Sequence, residues 1–287
     1  MPELPEVETI RRDLEEKIVG KKIAAVFILA KKSVHYPATK FDNILVGDSF
    51  STINRRGKLL YCSFRKSPLF LLVHLKMTGQ LIYADKKKII AGGHSLGSID
   101  FELPNKFTRV IIVFSDGSRL FFNDLRRFGY MKLMTAEDKD KVLQKSFGIE
   151  PLTSGFTFPD FTKIFLKRKT TIKALLMNQK LIAGIGNIYA DEVCFCAGIL
   201  PNRRADKISE AEKKKLFNCI NKVLKLSISH RGTTFNSYVD CDRKTGSFVK
   251  LLKVYGRAGE KCYRCKNIVQ KTRAAGRGTH FCPYCQK

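Results

Sequence analysis

The sequence predicts an α+β protein in three parts: an antiparallel β-sandwich or barrel capped by an N-terminal helix, a mainly helical half, and a small metal-stapled module. Three observations predict it. Short apolar runs without intervening helices occupy the chain as far as Met134, helix-period apolar residues fill 161–229, and Cys262-Tyr-Arg-Cys265 is followed by Cys282-Pro-Tyr-Cys285.

The elements follow in order. From Pro5 to Val19, the residues Val7, Ile10, Leu14 and Ile18 share one helical face, and Gly20 supplies the stop. Glu3, Glu6 and Glu8 then sit at the helix start, where the dipole favours negative charge. Strands are expected over 23–29, 44–53, 59–64, 69–75, 109–114 and 119–123, with Ser115-Asp116-Gly117-Ser118 as the hairpin turn between the last two. Thr135 to Lys145 reads as a charged helix, Pro151 to Pro159 as a loop, and Ala183-Gly184-Ile185-Gly186-Asn187 as a glycine turn opening a helix to about Cys196. Glycines there let backbone N–H groups approach an anion closely, which suits a DNA phosphate.

Paired CxxC motifs at this separation read as a four-thiolate zinc site, and a module this small needs its metal to fold. The chain has nine cysteines, an odd number. The remaining five, Cys62, Cys194, Cys196, Cys219 and Cys241, are scattered singly and are expected to be unpaired thiols. The first residues are too charged for a secretory signal and no apolar run spans a bilayer, so a soluble, intracellular, cytoplasmic protein is expected.

Charge and the first residues narrow the chemistry. Against 26 acidic residues stand 53 lysines and arginines, a formal net charge of +27, which favours a polyanionic partner. Met1-Pro2-Glu3-Leu4-Pro5-Glu6 places carboxylates beside a residue whose nitrogen becomes a free secondary amine once Met1 is removed, as is expected before a small second residue. Such an amine is a nucleophile near neutral pH, because an α-amino group titrates near 8 whereas a lysine titrates near 10.4.

Five motifs, in order along essentially the whole chain, resemble the formamidopyrimidine-DNA glycosylase family. They are the Met1–Thr9 opening, Leu72-Val-His74-Leu-Lys-Met77-Thr-Gly79, Asn123-Asp124-Leu-Arg126-Arg127-Phe128-Gly129, Gly184-Ile-Gly186-Asn187-Ile-Tyr189-Ala-Asp191-Glu192, and the cysteine pattern. The resemblance implies an N-terminal β-sandwich over 1–134, a linker over 135–158 and a helix-two-turn-helix domain over 159–230. A lesion-contacting mobile segment over 231–252 and a zinc β-hairpin finger over 253–287, with one structural zinc ion, complete it.

It also implies a bifunctional base-excision enzyme. Oxidised purines such as 8-oxoguanine and formamidopyrimidines are removed from double-stranded DNA, and the abasic strand is cut by β,δ-elimination through a Schiff base on Pro2. Glu3 matches the proton shuttle, Lys58 the lysine near the active-site phosphate, and Glu6 a support for the terminus. Met77, Arg126 and Phe128 match residues that enter the duplex, although spacing alone reads Met77 and Phe128 as core. Asn187 and Arg277 match phosphate-binding residues, whereas His74 reads as structural.

Asn178 and Asn236 depart from the family pattern, which commonly has aspartate and a basic residue there, and 85–106 is longer than expected. Two alternatives stay open: a pyrimidine-directed endonuclease VIII type, against which Leu4 speaks, and a non-enzymatic zinc DNA-binding protein, which leaves Pro2-Glu3 unexplained. A monomer is expected.

Overall fold

The computed structural model describes residues 1–36, 38–85, 89–93, 103–233 and 247–287. The expectations for Asn236, Cys241 and most of 231–252 fall outside the described residues, as does much of 85–106. Two compact units are present, each built from two stretches of chain: 1–143 with 230–249, and 144–229 with 250–287.

In the first unit α1 (Leu4–Ile18) buries the predicted face, with Val7, Ile10 and Ile18 each 1% exposed. Gly20 follows it in a left-handed conformation (φ +80°) that a Cβ would disfavour. Two five-stranded sheets pack around a shared apolar core that also receives α1. One has the order β2-β10-β5-β4-β3, comprising β2 (Val34–His35), β10 (Tyr130–Met134), β5 (Phe70–His74), β4 (Leu59–Phe64) and β3 (Phe50–Arg56). The other runs β1-β8-β9-β6-β7, from β1 (Ile23–Ile28), β8 (Thr108–Phe114), β9 (Arg119–Asp124), β6 (Gly79–Ala84) and β7 (Ile89–Gly93). Pairing is antiparallel except for the short β2–β10 contact. From Val110 to Phe114, β8 is an unbroken apolar run because both its faces are covered: Val110, Ile112 and Phe114 enter the main core, while Ile111 packs with Ile82 and Phe121.

One expectation fails here. Residues 44–53 do not form a strand throughout, because α2 (Ala38–Leu45) occupies the first part and β3 begins only at Phe50. Phe41 and Leu45, one helical turn apart, are both fully buried, and Gly47 at φ +83° follows the helix. The stretch expected as one strand is a helix end, a turn and a strand start.

α3 (Ala136–Ser146) matches the predicted charged helix. In the second unit, α4 (Phe158–Lys163) and α5 (Ile172–Met177) begin at Thr157 and Thr171, whose hydroxyls accept from Asp160 N and Ala174 N. α6 (Asn187–Ala197) ends at left-handed Gly198 and packs on α7 (Glu210–Ser229). Cys196 of α6 and Cys219 of α7 are joined by a disulfide, their Cα atoms 5.8 Å apart, which corrects the expectation that both are unpaired thiols. Their separation of 23 residues carries no information about pairing until the two helices pack. β11 (Gln270–Ala274) and β12 (Arg277–Phe281) form a hairpin whose two turn residues, Ala275 and Gly276, both have positive φ. No helix among the described residues is long and apolar enough to cross a membrane.

Candidate functional site

The start of the chain gathers charge in a buried setting. Glu3 caps α1 and is 3% exposed; Glu3 N donates to Glu6 Oε2 at 2.8 Å, closing a capping box. The other oxygen of Glu6 accepts from Thr233 N at 2.7 Å and Thr233 Oγ1 at 3.0 Å. Gly232 beside it takes a left-handed conformation (φ +82°) that favours glycine, and a Cβ there would lie 2.7 Å from Glu6 Oε1 and displace that carboxylate. The Met1 amine, one residue before Pro2, is pushed below its ordinary value by burial and by the charge of Lys58, which outweigh the opposing pull of Glu3 and Glu6. The charges of Glu3, Glu6 and Lys58 therefore all act at the start of the chain, on the Met1 amine next to Pro2.

Lys58 is itself 4% exposed and follows Gly57 in the β3–β4 turn. A residue that the sequence reading placed only as a charge at the helix start, Glu8, organises that turn. Glu8 accepts from Arg11, Arg12 and Arg55, and Arg55 Nη1 donates to Gly57 O at 3.1 Å, linking α1 to the backbone beside Lys58. Burial opposes ionisation of Glu8, but the Arg11 and Arg12 hydrogen bonds and the Arg55 charge outweigh it and hold the carboxyl below its usual range. His74 accepts from Lys76 N through Nδ1, and burial together with Lys76 and Lys58 pushes its pKa down to about 3, so the ring is neutral at physiological pH.

Met77, Arg126 and Phe128 are brought together on two neighbouring crossovers between the sheets. Residues 75–78 carry the chain from β5 to β6, and 125–129 carry it from β9 to β10; β5 pairs with β10, and β6 with β9. Phe128 is 54% exposed with the Arg126 guanidinium 4.9 Å above its ring, and Met77 is partly exposed, so Phe128 is not the core residue its spacing suggests.

In the second unit Asn187 and Arg277 meet at β12. Asn187 Nδ2 donates to Gly278 O at 3.2 Å, next to exposed Arg277. Beneath lies a charged frame that the motif reading did not single out. Fully buried Lys173 and Asp191 pair at 2.7 Å; Lys173 Nζ also donates to Gly278 O and Thr279 Oγ1, and His280 N donates to Asp191 Oδ2. Glu192 accepts the N–H groups of Lys253, Val254 and Tyr255, while burial pushes its carboxyl upward. The available signal was Asp191-Glu192 inside an otherwise apolar helix. Gln179 braces the glycine turn, accepting from Gly184 N and donating to Ile185 O. Asn178 ends α5, and its side-chain oxygen accepts Lys180 N, a bond an aspartate would make equally well.

The four thiols of Cys262, Cys265, Cys282 and Cys285 lie within 4.8 Å of one another. Separations of 3.9 Å for Cys262–Cys285 and 3.4 Å for Cys265–Cys282 bracket the edge of about 3.8 Å that a tetrahedron of sulfurs at a zinc–sulfur distance of about 2.3 Å requires. Burial and the neighbouring thiols push Cys285 up to about 12, which a bound cation would relieve. The site fits one structural zinc ion.

Three family models match: the formamidopyrimidine-DNA glycosylase N-terminal domain over residues 1–131, its H2TH domain over 147–238, and the zinc finger found in FPG and IleRS over 259–287. Formamidopyrimidine-DNA glycosylases of Carboxydothermus hydrogenoformans and Heliobacterium modesticaldum are 42% and 40% identical, over 100% of this chain and of each relative. A solved complex of Lactococcus lactis Fpg with DNA containing an abasic site is 34% identical with a TM-score of 0.88, covering 99% of both chains. A mutant of the same enzyme with Fapy-dG-containing DNA gives the same score over 100% of both. The chain, with its zinc finger and DNA-binding domains, belongs to the formamidopyrimidine-DNA glycosylase family of DNA repair enzymes.

Proposed function

We propose that the chain excises oxidised purines, 8-oxoguanine and formamidopyrimidines, from duplex DNA and then cuts the abasic strand as a lyase through Pro2. The observation that carries this reading is the clustering of Glu3, Glu6 and Lys58 at the start of the chain, where their charges act on the Met1 amine one residue from Pro2. With Met1 removed, the Pro2 amine attacks C1′ and the glycosidic electron pair leaves with the base, which takes a proton from Glu3. Ring opening leaves an iminium on Pro2 that draws electrons from the sugar. The C2′ proton is then lost, the 3′ phosphate departs, and the 5′ phosphate follows.

Lys58 offsets negative charge at the phosphates and favours the unprotonated amine. Glu6 holds the Glu3 backbone while gripping Thr233. Met77 and Phe128 fill the space left by the everted nucleotide and the Arg126 fork faces the orphaned base; Arg277 and Asn187 hold flanking phosphates. The solved relatives support the substrate class, since they carry abasic and Fapy-dG DNA. Residues 1–134, 159–230 and 253–287 would then act as catalytic, helical DNA-binding and zinc domains of an intracellular monomer.

Borohydride trapping tests the chemistry. Protein shown by intact mass to lack Met1 should form a covalent adduct with duplex containing 8-oxoguanine, and Pro2→Ala, which keeps a primary amine, should trap less. Absence of any adduct would sink the lyase reading, and equal trapping on undamaged duplex would sink the lesion specificity.

A further inference from the structure

We propose that Asp124, with Thr78, is a positioning residue that locks the two inter-sheet crossovers into one inserting unit; this rests on the reading that Met77, Arg126 and Phe128 enter the duplex. Asp124 is fully buried at the end of β9. Its Oδ1 accepts from Thr78 Oγ1 at 2.5 Å and from Arg126 N at 3.3 Å, and its Oδ2 accepts from Gly129 N at 2.6 Å. The Thr78 hydroxyl also accepts from Arg126 N at 2.9 Å. One carboxylate and one hydroxyl thus tie the turn after Met77 to both ends of the Arg126–Gly129 loop. Buried Arg109 donates from Nε and Nη2 to Asp124 O, fixing the carboxylate's own backbone.

The geometry around this pin points the same way. Lys76 (φ +50°) and Arg127 (φ +58°) both sit in the left-handed region that non-glycine residues avoid, one in each crossover. Each crossover also ends on a glycine with no room for a Cβ: at Gly79 it would lie 2.5 Å from Leu75 O, and at Gly129 it would lie 2.9 Å from Phe122 and 3.1 Å from Asp124 Oδ2. Strained backbone on both sides persists only where surrounding contacts over-determine it, and the Asp124 carboxylate supplies those contacts. The exposed side chains are thereby held in register before DNA arrives, so eversion of the nucleotide meets a preformed wedge instead of two independent loops.

Single-turnover excision of 8-oxoguanine from duplex, compared with cleavage of an abasic site in a single-stranded oligonucleotide, tests this. Thr78→Val is isosteric but cannot bond, and Asp124→Asn leaves only one acceptor oxygen for three donors. Each is expected to slow duplex excision on the order of 10²-fold, the size of loss a misplaced positioning group produces. Single-strand cleavage should stay within about 3-fold of wild type, a discrimination small beside that loss. Thr78→Ser should restore duplex excision. 2-Aminopurine opposite the lesion, whose fluorescence follows insertion, should respond slowly in Thr78→Val and normally in Thr78→Ser.

Equal losses on both substrates, or normal duplex excision in Thr78→Val, would overturn the proposal; should Asp124→Asn not fold, the Thr78 pair decides alone. Arg126→Ala and Phe128→Ala test the underlying reading separately. If they leave duplex excision and the 2-aminopurine signal unchanged, insertion itself is wrong. If they abolish both while Thr78→Val does neither, only the pin is wrong.

Discussion

The two halves hold their candidate DNA-binding residues by different means. Asn187 and Arg277 rest on the β12 hairpin, which is held by four thiolates and a buried Lys173–Asp191 pair. Met77, Arg126 and Phe128 ride on two strained turns held by hydrogen bonds to Asp124 and Thr78. The difference teaches where each mode of failure lies. A metal and a buried ion pair are all-or-none supports, because loss of one partner leaves an unmatched charge. Hydrogen-bonded turns loosen by degrees and lose register before they lose fold.

Stripping the metal should break the comparison most strongly. Structural zinc is worth about 10–16 kcal/mol in finger peptides, so chelation should unfold the β11–β12 hairpin and abolish DNA binding by fluorescence anisotropy, while NMR signals of the sandwich core persist. Survival of the hairpin without metal would mean that the ion-pair frame suffices.

Glu3→Gln comes next. It should slow base release by about 10²–10⁴-fold in single-turnover assays yet keep borohydride trapping on a preformed abasic site, since the amine remains. Equal loss in both assays would make Glu3 a helix cap only.

Lys173→Met should lower the stability of the second unit by about 3–5 kcal/mol, because Asp191 is left charged and buried. Urea denaturation followed on that unit measures it, and a loss below about 1 kcal/mol would place the hairpin's support in the zinc alone.

Glu8 gives a smaller, pH-dependent effect. Its carboxyl lies below its ordinary value of 4.5, so its contribution is fully present above that pH and is lost as pH falls through the lowered folded value. Urea midpoints of wild type should therefore drop towards acid more steeply than those of Glu8→Gln, which should be weaker near neutral pH by about 1.5–3 kcal/mol. Parallel curves would remove Glu8 from the support of the Lys58 turn. Smallest of all, Arg277→Ala should reduce the slope of log affinity against log salt by about one, with affinity weakened evenly across DNA sequences.

Local patterns were legible wherever one short stretch carries its own physics. The α1 face, the Ser115–Ser118 turn with Gly117 at φ +84°, and the CxxC pairs needed no knowledge of the rest of the chain. α2 was missed because its last residues, Ile44 and Leu45, run directly into Val46 and so read as the start of the strand that begins only at Phe50. β6 and β10 were missed because they are recognisable chiefly as neighbours of β9 and β5. Spacing alone put Phe128 in the core, whereas it is exposed beneath Arg126.

Read alone, the residues determined the family and the zinc ligands, because each motif of the family and each CxxC pair is a pattern of a few consecutive residues that carries its own chemistry. Tertiary structure alone decided that Cys196 meets Cys219, that Glu8 reaches Arg55, and that Thr78 and Arg126 share one aspartate. Those partners lie 23 to 48 residues apart, and only the packing of strands and helices turns such separations into hydrogen-bond distances.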